Sequence, residues 1–425
     1  MIERRDDGGR PRRMAAAMVI CLVAVTGCST EPPPAPSGSV GSAPTPAIAS
    51  ATPSASASRT AAPTPLPGTG RLELDVMTID PVYTTPLLEV ASTGTAIIYS
   101  SGAADGPDWE YAPDLYRLVP GADEPELLWG NPVRERDVIK MAGDADVIAF
   151  TDYEPVADVG GWRLLVIDGG EEAIELDAHP RLPNVPSAVP SLDVDAGRVV
   201  WSAFDLGEDG PISQLLIAEG PDWTPRELMR RDFSSGELWL PSLFGDQLAY
   251  TEIFKQDDGT TEYGVLLTDL SDPDAEPRRL DTSGHASTPI VLPEEVIFID
   301  PGEGMSMFNW GQLMSYSLAT GEINPISMSP QPGVRLPSAG SRFVGGWGMN
   351  VSALSIFDLE TRRSRRVERY PNVGPDAADR AHIVGDLMVW IHFIVDETGQ
   401  DDTPIEVRYA WLPVPGSDRP GANPP

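Results

Sequence analysis

Side-chain chemistry in this chain falls mainly to its acids. There are 64 Asp and Glu residues against 30 Lys and Arg in 425, a formal charge of −34. Many of the acids gather in short polar stretches, which contain Asp105 and Asp108, Asp152 and Glu154, Asp205 and Asp209, Asp257 and Asp258, and Asp396 and Asp401. Clustered carboxylate oxygens are hard ligands that suit Ca2+. Two carboxyls converging from different parts of the chain are also what a glycosidase or lyase needs. Neither KQDDGTTE nor DETGQDD keeps the ligand spacing of a known calcium loop. The metal content is therefore left open, with no cofactor expected and Ca2+ as the one alternative. No G-x-S-x-G nucleophile motif occurs, and His179, His285, His382 and His392 have no zinc-site spacing. Loop acids of this kind are read first as a solvated rim and candidate binding surface, and an enzyme is the less favoured expectation.

The one reactive position the sequence does single out is a thiol. Five arginines, Arg4 to Arg13, precede the 12-residue apolar run MAAAMVICLVAV, which is shorter than the roughly 20 residues of a membrane-spanning helix. This is the layout of an export signal. The residues that follow, Val25-Thr26-Gly27-Cys28, resemble a bacterial lipobox, in which the cysteine is lipidated and becomes the first residue of the mature chain. The resemblance implies a signal peptide over 1–27, a palmitate-bearing Cys28, and a protein held at the outer face of the cytoplasmic membrane or in the cell envelope. Cys21 falls in the removed segment. The mature charge is then −36, since residues 1–27 carry five Arg and three acids. Such a balance disfavours nucleic acid and electrostatic attraction to anionic membranes. From 28 to 70 the chain is almost wholly Pro, Ala, Ser, Thr and Gly, too poor in apolar residues to pack, so a disordered tether is expected.

The elements that would position the acids appear after Gly70. The runs AIIYS, VIAFT, RVVWS, QLAYT, EVIFI, RFVGG and LMVWI align so that Tyr99, Phe150, Trp201, Tyr250, Phe298 and Trp390 share a column, with Gly345 in the sixth copy. Each run is preceded by one β-type segment and followed by two, for example VIKMAGDAD, LLVIDGG and AIEL around VIAFT. Four short strands per repeat, repeated seven times at a period of 45 to 51 residues, is the pattern of a β-propeller. The expected fold class is all-β, a seven-bladed propeller over 71–414 with six or eight blades as alternatives, and a tail over 415–425. The last copy lacks its fourth strand, and LELDV from Leu72 matches IELDA from Ile174. Residues 71–77 are therefore expected to close the ring as the outer strand of the last blade.

These repeats resemble the WD-like repeats of TolB-type propellers, in which an aromatic strand leads through a long loop to a strand ending in Asp-Leu and a turn. TolB has six blades and a separate N-terminal α/β domain, whereas seven copies and a tether are read here, so its partners are not carried over. In such a fold the acidic stretches fall on loops joining second and third strands, all on one face. The expectation is a monomeric, membrane-tethered binding or scaffolding module, its partner an envelope protein or glycan. The alternative is an envelope polysaccharide hydrolase or lyase using carboxylates or Ca2+ at that face.

Overall fold

In the computed structural model the described residues are 74–79, 87–101, 112–133, 135–154, 161–170, 172–179, 189–256, 259–272, 274–280, 283–302, 311–326, 334–340, 342–348, 353–361, 363–369, 381–395 and 402–413. The expected signal over 1–27, Cys28, and the expected tether and tail lie outside them.

All described strands fall into seven four-stranded antiparallel sheets. The first six blades span residues 87–129, 137–179, 192–232, 236–279, 287–325 and 334–369, each laid down in chain order from an inner strand to an outer one. The inner strands touch from blade to blade, and that of blade seven meets that of blade one. The domain is thus a closed seven-bladed β-propeller, as the repeat count implies.

Blade seven is built from both ends of the domain. Its outer strand, Met77–Thr78, pairs antiparallel with Asp402–Trp411, Met77 opposite Tyr409 and Thr78 opposite Arg408. The N–H of Ile79 extends the ladder to the Val407 carbonyl at 2.9 Å. The closing strand therefore exists but lies downstream of the expected 71–77. Leu74 to Val76 carry no ladder, and Leu74 packs instead against the core shared by blades six, seven and one.

Stacking explains the apolar runs. A blade is covered on both faces by its neighbours, so a middle strand such as Ile97–Ser101 is buried at every residue, whereas the outer Arg226–Asp232 has no fully buried residue. Tyr99, Phe150, Trp201, Tyr250, Phe298 and Trp390 are all essentially inaccessible. Most sit in the interface with the preceding blade. Phe150 shares a cluster with Ile98, Trp201 with Ala149, Tyr250 with Val200 and Phe298 with Ala249. Alternation along the strand makes this regular, because the ring points to one neighbour and the residue before it to the other.

The register corrects the sixth copy. In blades two, three, four, five and seven the first residue of the second-to-third strand pairing can be located by a backbone bond, such as Gly169 N–H to Asp146 O or Leu412 N–H to Asp386 O, four residues before the ring. The same bond in blade six runs from Leu359 to Arg342, so the ring position is Gly346 rather than Gly345. Two adjacent glycines had left the alignment free to slip by one.

The turns between first and second strands tie successive blades together. Asp144 accepts from the Ala196 N–H, Asp195 from Gly245 and Asp193 from Leu243, each at 2.8 Å.

Candidate functional site

The second-to-third connections and the links between blades occupy one face, as expected. Of the acids assigned to that face, Asp105, Asp108, Asp257, Asp258, Asp396 and Asp401 lie outside the described residues. The remaining four do not form one site.

Asp152 is not a loop residue. It lies within Val147–Tyr153, the second strand of blade two, and is fully buried. Its Oδ1 accepts from Asn131 Nδ2 at 2.8 Å, and its Oδ2 from Arg136 Nε at 2.9 Å and Arg163 Nε at 2.8 Å, with Arg163 Nη2 in close contact as well. Arg136 Nη2 also donates to the carbonyls of Asp152 and Gly161, 2.9 and 3.2 Å away. This arginine therefore fastens both sides of the 155–160 connection at its base. Charge-assisted bonds from two guanidiniums hold Asp152 as an acceptor. Glu154 stays exposed with Arg136 Nη1 3.6 Å away.

Asp205 and Asp209 correct the expected loop in blade three. Strands Arg198–Gly207 and Gly210–Glu219 pair up to Gly207 and Gly210, so the stretch is a projecting hairpin with a two-residue turn. Asp205 is half-buried within the strand, its carboxylate accepting from the Leu206 N–H at 2.7 Å, and Asp209 is exposed at the tip. No group of three or more His, Cys, Asp or Glu able to hold a metal occurs among the described residues.

An equivalent acid recurs two residues beyond the ring of blade four. Glu252 is buried and accepts from Arg231 Nε of blade three at 2.7 Å. Nearby, Tyr250 is pushed well above its ordinary range by burial, with Glu252 adding and Arg231 opposing. The sequence reading passed over Arg136, Arg163 and Arg231. Their signal was present only as basic residues in an acid-rich chain, without the identity of their partners.

The same face of blades three and four carries rings that the sequence reading did not assign. Phe204 makes edge contacts with Phe233 and Trp239, with centroids 5.7 and 5.0 Å apart. Lys255 Nζ stands 3.6 Å above the Phe233 ring, donates to the Phe233 carbonyl at 2.7 Å and pairs with Glu237 at 2.7 Å. Glu237 also accepts from Trp239 Nε1 at 3.0 Å. Phe233 and Trp239 are half-buried, so the patch offers rigid aromatic edges beside a fixed charge pair.

Two carboxyls sit at blade junctions with shifted titration. Burial pushes Asp137 up to about 6, opposed by the Ala112 N–H and reinforced by Asp152. Burial likewise pushes Asp193 up to about 6, opposed by the N–H groups of Leu243 and Val194 and by Ser242, and reinforced by Asp195. The histidines are dispersed. His179 packs tilted against Trp162, with centroids 4.6 Å apart, and lies 3.6 Å from Asp177, while His382 and His392 belong to blade seven and His285 to the link between blades four and five.

No protein-family model matches the chain, and no curated protein does. Among solved structures, an oligogalacturonate lyase in complex with manganese is similar at a TM-score of 0.52 and 11% identity, over 81% of this chain and 98% of that one. The β-propeller domain of the Trilobed protease from Pyrococcus furiosus scores 0.49 at 14% identity, over 72% and 90%. TolB from Acinetobacter baumannii scores 0.42 at 12%, over 76% and 78%. At such identities the likeness to the lyase is one of fold, and by fold this chain is a β-propeller.

Proposed function

We propose that the chain is a lipid-anchored, extracytoplasmic propeller that acts as a binding or scaffolding module in the cell envelope. The observation that carries the binding role is the Phe204, Phe233, Trp239, Glu237 and Lys255 patch, which combines aromatic anchors with oriented charge on the face that bears the blade links. Half-buried rings held in place lose little entropy on contact and are the usual centres of binding energy. The anchoring rests on the order of basic, apolar and small residues ahead of Cys28. It accords with a domain whose chain enters at the rim, in the outer strand of blade seven, rather than across either face.

Two experiments separate the parts of this reading. Labelled palmitate should enter the wild type and not Cys28→Ser, and equal labelling would remove the anchor. Cross-linking in intact envelopes should capture a partner that is lost in Phe233→Ala/Trp239→Ala with the fold unchanged; an undiminished yield would remove the patch. Cleavage of an acidic polysaccharide by the purified mature protein would favour the lyase or hydrolase alternative instead.

A further inference from the structure

The outer strand of blade six, Arg363–Arg369, reads RSRRVER and follows Arg362, so five of the chain's 30 basic residues fall within eight positions. Arg363 and Arg365 are exposed and Arg366 is half-buried. Their register places Arg363 opposite Asp358, Arg365 opposite Ile356 and Arg366 opposite Ser355. The acids at the end of the adjoining strand are held by another arginine, since Arg342 bonds Asp358 at 3.0 and 2.7 Å and Glu360 at 2.7 Å. Among the described residues no hydrogen bond or ion pair reaches the side chains of Arg363, Arg365 or Arg366, whereas Arg136, Arg163, Arg231 and Arg342 each grip an acid. Charges of either sign blunt an edge strand against aggregation. Five arginines against the single Glu368, in a molecule of opposite net charge, call for a partner of complementary charge.

Position names that partner. Val367, in the middle of this strand, lies in the same core cluster as Ile79, with Leu74 and Met77 packed against it. The arginine strand and the point where the chain enters the ring are therefore on adjoining stretches of the rim. We propose that the outer strand of blade six binds anionic phospholipid headgroups and seats the propeller with this rim toward the membrane; this rests on the lipid-anchored reading above. The overall negative charge does not forbid it. Screening acts over about 8 Å at physiological salt, so headgroups in contact respond to the local arginines more than to acids on distant blades. Each arginine near an anionic surface strengthens partition by about fivefold, which gives about a hundredfold for three.

The test uses the mature chain from residue 28 with Cys28→Ser, so that no acyl chain contributes, sedimented with phosphatidylcholine vesicles with and without phosphatidylglycerol. Association is expected only with phosphatidylglycerol, should weaken at high salt, and should fall about a hundredfold in Arg363→Gln/Arg365→Gln/Arg366→Gln at unchanged melting temperature. Arg365→Gln alone, at an exposed position, should lose about fivefold and serves if the triple variant unfolds. A control with Arg117→Gln, Arg226→Gln and Arg230→Gln, which removes the same charge from blades one and three, should bind like the parent. Equal binding to both vesicle types, binding to neither, or an equal loss in the control would overturn the proposal. So would a triple variant that binds vesicles normally but loses self-association in sedimentation, since the strand would then face a second copy. Palmitate labelling reports on the anchor separately, so either reading can fail without the other.

Discussion

Asp152 shows how a residue that looks like chemistry becomes architecture. Replacing it with Ala would leave Arg136 and Arg163 with only the exposed Glu154 and Glu175, 3.6 and 3.9 Å away, as counter-ions, and Asn131 Nδ2 without its acceptor. Breaking a buried pair in this way costs about 3 to 5 kcal/mol, and the loss should appear in denaturant unfolding. Asp193 allows a pH experiment with a definite sign. Its carboxyl holds a proton more tightly in the folded protein, with a pKa of about 6 against 3.8 for the ordinary group. The folded state therefore binds more protons between those values, and the Asp193 contribution to stability is complete below about pH 4 and lost as pH rises through about 6. Asp193→Asn should remove this slope. Urea titrations of both proteins from pH 4 to 8 check it, and parallel curves would contradict the assignment. Which acids are buried was not legible from composition, because Asp152 and Asp209 each stand within two residues of another acid and differ in where their strands end.

At the scale of elements, the weakest link in the ring is the two-residue strand that closes it. Met77–Thr78 holds blade seven by a few ladder bonds and by Ile79, which is almost fully buried. Ile79→Ala should cost about 2 to 4 kcal/mol as a cavity in the shared core. Removing 74–79 should lower the melting temperature much further, because it bares the edge of Asp402–Trp411. An unchanged melting profile for the truncated protein would mean that the ring does not depend on closure. A close approach between blades one and two gives a second test at this scale. A Cβ added at Gly143 would lie 2.8 Å from Thr93 Cγ2, so Gly143→Ala should destabilise by about 1 to 3 kcal/mol through overpacking. The strands were legible one by one, since residues pressed between two neighbours must be apolar on both faces. Their exact pairing was not, as the slip from Gly346 to Gly345 and the late start of the closing strand show.

At the scale of the molecule, a ring of seven sheets carries far more acids than arginines can neutralise. Self-repulsion of this kind is screened by ions, so the melting temperature should rise as sodium chloride is added from low ionic strength; a flat response would mean the acids are already compensated. The arginine strand is the local exception, and only the fold sets it beside the point where the chain enters. By itself the sequence determined the number of blades, their aromatic interfaces and the need for a borrowed strand, because each follows from a local pattern of burial repeated along the chain. The tertiary structure alone decided that Asp152 is clamped, that Asp205 lies in a hairpin and that Arg363, Arg365 and Arg366 find no partner among the described residues. Those outcomes depend on which groups from distant segments come within bonding distance, and a linear pattern carries no such distances.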